Sequence, residues 1–277
     1  MDIILVPTDF SDAADNAALY AARYAQSINA RMILFHVYHV PVSAAPAFPV
    51  MPVTFDELQA ENEAWLQKKA KELHRKTGAD IRCRVKIGLA GDEILEVQNV
   101  DLIIMGTKGA GRIDQVLPGS IATSVFRKSK IPVLLVPEKA EYKKIRTLMF
   151  ACDYDPARGF SLPLALQGFA KPFEPAIFVV NVKHKKESVV INAQVAMKPG
   201  GQMDNVEHLY YFSEQEDLAD GISEFAVDHN ADIIAVIPHQ YGLLEGIFHK
   251  SISKQLAFHS HIPLLASPDD RRYNNSF

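Results

Sequence analysis

Residues 100–137 read VDLIIMGTKGAGRIDQVLPGSIATSVFRKSKIPVLLVP, and residues 231–268 read ADIIAVIPHQYGLLEGIFHKSISKQLAFHSHIPLLASP. Laid over one another at an offset of 131, they align without a gap: Asp101 falls on Asp232, Gly111 on Gly242, Ser120 on Ser251 and Ile121 on Ile252. The beginnings of the halves correspond too. ILVPTDFS (4–11) matches LMFACDYD (148–155), with Asp9 on Asp153, and LFHVYH (34–39) matches VVNVKH (179–184), with Val37 on Val182. A repeat of roughly 140 residues is too long for a solenoid unit, so the chain reads as a duplicated domain. The seam falls at the charged stretch EKAEYKK (138–144), giving domains 1–140 and 141–277.

Within the first half, strand and helix alternate. DIILVPT is an apolar run of the buried parallel type. The alanine-rich SDAADNAALYAARYAQSI has apolar spacing near 3.6, with Ser11 or Asp12 as its cap. RMILFHVYHV is a second strand, and the proline-rich 41–54 is a loop. FDELQAENEAWLQKKAKELHRKTG is a long amphipathic helix stopping at Gly78. DIRCRVKIG reads as strand, DEILEVQN as a short helix, DLIIMG as strand, GSIATSVFRKS as helix and IPVLLVP as a final strand. The fold class is therefore α/β: two tandem, open, five-stranded parallel sheets with helices on both faces. In the second half the long helix is nearly lost, replaced by about twenty residues, KHKKESVVINAQVAMKPGGQ.

Composition narrows the class without selecting a function. Hydrophobic content of 48% and charged content of 22% are those of a soluble globular protein. No apolar run approaches the ~20 residues of a bilayer span, and MDIILVPTDF lacks the basic lead of a signal peptide. A cytoplasmic location is expected, with no membrane partner. Two cysteines, Cys83 and Cys152, suggest no disulfide framework, and Cys152 is expected to be inert at a buried strand end. A net charge of −4 does not indicate a nucleic-acid binder.

The loop after DLIIM carries the chemistry. Glycines at 106, 109, 111 and 119 let backbone N–H groups approach phosphate oxygens, and the helix start at Ser120 adds unpaired donors. Lys108, Arg112, Arg127, Lys128 and Lys130 oppose only Asp114 between 106 and 130. On spacing alone, the loop is either a phosphate cradle or a glycine-bearing surface turn. It is neither a Walker A loop nor GxGxxG, so P-loop hydrolysis and dinucleotide binding are unsupported.

GTKGAGRIDQVLPGS also resembles the Gly-x2-Gly-x9-Gly-Ser/Thr signature of the universal stress proteins, through Gly106, Gly109, Gly119 and Ser120. ILVPTDFS, LFHV and IPVLLV are similar to that family's first, second and last strands. The resemblance covers the chain twice and is specific in the first half. It implies a Rossmann-like fold of the adenine nucleotide alpha-hydrolase type, binding ATP, AMP or ADP, with Mg²⁺ as an optional companion. Carried onto this chain, Asp9 with Pro7 and Thr8 would flank base and ribose, and Val37 would meet adenine through its backbone. Met105 and Gly106 would sit by the ribose or α-phosphate. Gly109, Gly119, Ser120 and Ile121 would wrap the phosphates, with Lys108 and Arg112 among the loop's cations. Asp9 as a helix cap and Val37 as plain core are the alternatives. The family also dimerises through its last strands. Here IPVLLVP and IPLLASP would pair antiparallel within one chain as a pseudo-dimer, covering two apolar edges, with a further homodimer left open.

The second half departs from this pattern: Gly106 becomes Ile237, Gly109 becomes Gln240 and Gly119 becomes Lys250. Only Ser251 and Asp153 remain of the polar set, so this half is expected to bind no ATP and to serve as a structural partner. Seven of the ten histidines lie between 184 and 261, in no spacing that fixes a metal site. No nucleophile–base pair is apparent, so at most slow ATP hydrolysis is expected. The leading expectation is an ATP-binding stress-response regulator. A scaffold with a vestigial site, or less readily an adenylyl transferase, is the alternative.

Overall fold

A computed structural model of the chain describes residues 1–39, 54–107, 119–152, 162–182, 209–211, 218–237 and 262–268. The first half runs β1 (Ile3–Pro7), α1 (Asp12–Ser27), β2 (Arg31–Tyr38), α2 (Phe55–Thr77), β3 (Asp80–Ile87), α3 (Ala90–Leu95), β4 (Leu102–Gly106), α4 (Ser120–Lys128) and β5 (Val133–Val136). The second runs β6 (Thr147–Cys152), α5 (Leu164–Ala170), β7 (Ala176–Val182), β8 (Leu209–Tyr211), α6 (Leu218–Asp228), β9 (Ile233–Val236) and β10 (Leu264–Ala266). Residues 183–208, which take in the whole of the stretch replacing the long helix, lie outside the described residues.

Local chemistry accounts for the boundaries. Ser11, rather than Asp12, caps α1, its hydroxyl accepting from the Ala14 N–H. Thr54 and Glu57 form a reciprocal capping box at the start of α2, and Gly78 ends that helix in the left-handed region at φ 77°. The short helix expected over 92–99 instead spans Ala90–Leu95. Its chain turns away through Asn99, whose φ of 57° no helix accommodates.

The strands form one sheet in the order β3-β2-β1-β4-β5-β10-β9-β6-β7-β8. Every pairing is parallel except that of β5 with β10. There Leu134 faces Leu265, Leu135 faces Leu264 and Val133 faces Ala266. At the repeat's offset of 131, Leu265 is Leu134's own counterpart, so a local twofold axis passes through that pair. The expected pairing of last strands within one chain is present.

Both faces of the sheet are covered, which is why β1, β4 and β5 are apolar throughout. Ile4, Val6, Leu34 and Ile104 join α1 and α2 in one core, and Leu5, Phe35, Ile103 and Met105 join α3 and α4 in the other. The repeated aspartates act at the far edge of the sheet. Asp101 Oδ2 accepts from the Asp2 and Ile3 amides at 2.6 and 3.0 Å, and Asp232 Oδ2 accepts from Arg146 and Thr147 at 2.8 and 3.0 Å. Each fixes the start of its half's first strand.

The charged seam is a packed element. Asn16 on α1 donates to the carbonyls of Pro137 and Ala140, both at 3.0 Å, and Ala140 is buried. Tyr142 lies edge-on to Tyr20 and Tyr24, and Tyr24 stacks on Phe169 of α5 with centroids 5.6 Å apart. An aromatic cluster thereby joins α1 to α5 across the local axis.

Candidate functional site

Parallel strands of the first half deliver their carboxyl ends to one edge, and the strand order reverses between β1 and β4, where ligands of open α/β sheets lie. That edge gathers Pro7, Thr8 and Asp9 after β1, Val37 near the end of β2, Met105 and Gly106 at the end of β4, and Gly119, Ser120 and Ile121 at the start of α4. Lys108, Gly109 and Arg112 lie outside the described residues.

The two ends of the glycine loop are tied together. The Gly119 N–H donates to the Thr107 carbonyl at 2.8 Å, and the Thr107 N–H donates to Val136 at 3.3 Å. Thr107 is buried, and sequence reading missed it because its role is to clamp a loop whose ends are distant in the chain. Gly119 is the N-cap of α4 at φ −57°, ψ 149°, and makes no side-chain cap bond. The first turn of α4 contains no acidic residue, so its amides and partial positive charge are not offset locally.

Gly106 has a different physical reason from the expected one. A Cβ there would stand 2.8 Å from the Ala13 carbonyl oxygen and 3.0 Å from its carbon. The alternation of β4 turns residue 106 toward the α1 face, alongside Leu102 and Ile104. The missing side chain makes room for the first turn of α1. The counterpart Ile237 packs partly buried against the core of the same face. In that half the first described helical residue after β6 is Leu164, about two turns later than the repeat would place it.

The other expected contacts divide by exposure. Asp9 and Ser120 are exposed, and Ile121 is 42% exposed. Pro7, Thr8 and Met105 are buried, Met105 in the α3–α4 core, so a ligand could meet Met105 only through its backbone. Val37 packs partly buried against that same core. Asp9 does not itself cap α1: its Oδ1 accepts from the Ser11 N–H at 3.1 Å and the Ser11 hydroxyl at 2.6 Å, steadying the residue that does. His36 is buried beneath this turn, its Nδ1 2.7 Å from the Thr8 carbonyl oxygen. It went unnoticed in the sequence because it reads as one more position of an apolar strand.

Among the described residues, no group of three or more His, Cys, Asp or Glu side chains could hold a metal ion. His229, from the histidine-rich half, has its Nδ1 2.9 Å from the Phe225 carbonyl oxygen and stacks on the Phe225 ring with centroids 3.8 Å apart. It is an exposed histidine resting on its own helix. His239, His249, His259 and His261 lie outside the described residues, as do Asp153, Gln240, Lys250 and Ser251. Cys83 is half-buried and burial pushes its thiol pKa up. No described helix is long and apolar enough to cross a membrane.

Comparison with known proteins agrees with this architecture. The sequence model of the Universal stress protein family matches residues 1–137. A universal stress protein of Methanocaldococcus jannaschii is 32% identical over 137 residues, 48% of this chain and 80% of that one. One from Thermus aquaticus is 31% identical over 138 residues, 48% of this chain and 96% of that one. Over the whole length, the crystal structure of a universal stress protein from Archaeoglobus fulgidus superposes with a TM-score of 0.62 at 14% identity, covering 96% of each chain. That likeness extends the fold to the second half.

Proposed function

Because this chain belongs to the universal stress protein family, we propose that it is an adenine-nucleotide-binding stress-response regulator with one site, in its first half. One observation carries this reading. The Gly119–Thr107 bond closes the glycine loop at the β1–β4 switch point, beside the uncapped, acid-free start of α4. Such a helix start supplies amides and positive potential to a phosphate chain. The exposed, pre-oriented Asp9 carboxylate suits ribose hydroxyls, which donate to it.

In this reading Gly109, Gly119, Ser120 and Ile121 receive the phosphates, Lys108 and Arg112 add charge, and the Val37 backbone meets the base. Pro7, Thr8, Met105 and Gly106 form the wall. ATP, with or without Mg²⁺, is the expected ligand; AMP and ADP fit the same groups. Residues 1–140 form the binding domain and 141–277 a partner domain that binds no ATP, its sequence carrying Gln240 and Lys250 where the first half has Gly109 and Gly119. We assign no catalytic residue, and place the protein in the cytoplasm.

Mass spectrometry of small molecules released from the denatured, purified chain tests the proposal. Adenine nucleotide at about one equivalent supports it. Binding should also raise the melting temperature with ligand concentration, through about 2.7 kcal/mol of added stability at a hundredfold excess over Kd. No released nucleotide and no ATP-dependent shift would favour a scaffold with a vestigial site.

A further inference from the structure

We infer that His36 is a positioning residue for the nucleotide site, holding Asp9 in place through the turn Thr8–Ser11; the inference rests on the reading of the site above. The turn contains Phe10 at φ 61°, a conformation rarely adopted by a bulky side chain. Strain of this kind persists only where the surroundings over-determine it, and it concentrates at functional sites.

Here every residue of the turn is restrained. The Thr8 N–H donates to the Phe35 carbonyl at 2.8 Å, and Thr8 Oγ1 accepts from the Phe10 N–H at 3.1 Å. Asp9 Oδ1 accepts from both the amide and the hydroxyl of Ser11, which caps α1. His36 supplies the support from below. A carbonyl oxygen can only accept, so the 2.7 Å contact to Thr8 places the hydrogen on Nδ1. The Phe10 ring packs against the imidazole, tilted by 46° with centroids 4.6 Å apart, and Trp65 meets Phe10 edge-on at 6.2 Å. His36 thus holds the backbone before Asp9 and the side chain after it. Its neighbours Met32 and Leu34 on the same strand face are wholly buried and apolar. A leucine at 36 would serve packing alone, whereas a donor there serves the turn.

The test compares ATP, 2′,3′-dideoxy-ATP and inorganic triphosphate by isothermal titration on the full chain. Wild type should prefer ATP to the dideoxy analogue on the order of tenfold, the effect of hydrogen bonds to a charged carboxylate. His36→Leu should reduce that preference to about twofold or less while leaving triphosphate affinity unchanged. His36→Asn, whose amide can donate near the position of Nδ1, should restore most of it. In an Asp9→Ala background, His36→Leu should change nothing further. Phe10→Gly, which adopts φ 61° freely and loses the ring contact, should reduce the preference in the same direction and serves if His36→Leu misfolds. A His36→Leu or Phe10→Gly chain keeping the full preference, or losing ATP and triphosphate affinity alike, overturns the inference alone. Wild type binding neither ATP nor triphosphate overturns the site reading, and the inference with it.

Discussion

Replacing Gly106 by alanine adds one methyl group to a strand end, in the way of backbone. Its carbon would lie 2.8 Å from the Ala13 oxygen, 3.0 Å from the Ala13 carbonyl carbon and 3.3 Å from the Ala14 nitrogen. Neither side yields cheaply. β4 is held between β1 and β5. α1 is fixed by its Ser11 cap, by the Lys69–Asp15 ion pair at 2.5 Å and by the two bonds of Asn16. Overpacking a closed site costs 1–3 kcal/mol, and rigid neighbours place this case near about 2–3 kcal/mol. At roughly 2–4 °C per kcal/mol, the ligand-free melting temperature should fall by about 4–12 °C. Calorimetry and guanidinium titration of the ligand-free protein read this directly. A cradle role alone predicts unchanged ligand-free stability with lost nucleotide affinity. An unchanged midpoint would therefore refute the packing account of Gly106.

Gly119→Lys, the residue of the second half, should behave oppositely. Position 119 has an ordinary backbone conformation, so the fold should stay intact while ATP binding is abolished; retained affinity in titration would remove the cradle assignment. Asp101→Ala and Asp232→Ala should each cost about 1–2 kcal/mol in denaturant unfolding, since each leaves two strand-start amides without their acceptor. Costs differing widely between the two would argue against equivalent roles. Burial pushes the Tyr20 and Tyr24 phenols well above their ordinary 10.0. A pKa raised in the folded state means that folding favours the protonated form. Stability is then full below pH 10 and declines above it, as the unfolded chain ionises first. The denaturant midpoint should fall between pH 10 and 12, and Tyr20→Phe with Tyr24→Phe should flatten that decline.

Much of the fold was legible because duplication doubles the signal. The apolar runs of β1, β4 and β5 report burial on both faces, and the gapless match of 100–137 with 231–268 exposed the tandem plan. The β5–β10 pairing was implied by the resemblance to a family that joins its last strands. The candidate site was legible as a set of positions and less so as a set of reasons. Gly106 was read as leaving space for phosphate, but the space is taken by α1, a neighbour 93 residues earlier in the chain. Thr107, His36 and the Tyr24–Phe169 stack act through contacts between elements, which no local pattern encodes. Asp101 was visible as repeated, but its work on the start of β1 required the sheet register.

The axis through Leu134 and Leu265 changes how substitutions are counted. In an assembly of identical chains, any replacement at a twofold contact occurs on both sides at once, so a tolerable change is felt doubled. Inside one polypeptide the same change occurs once, against an unaltered opposite face. Val133 already meets Ala266 where Leu135 meets Leu264, an inequality that identical partners could not have. The partners also cannot separate on dilution, because the chain holds them at a fixed effective concentration. One half is thereby free to drift in sequence while the other keeps its own.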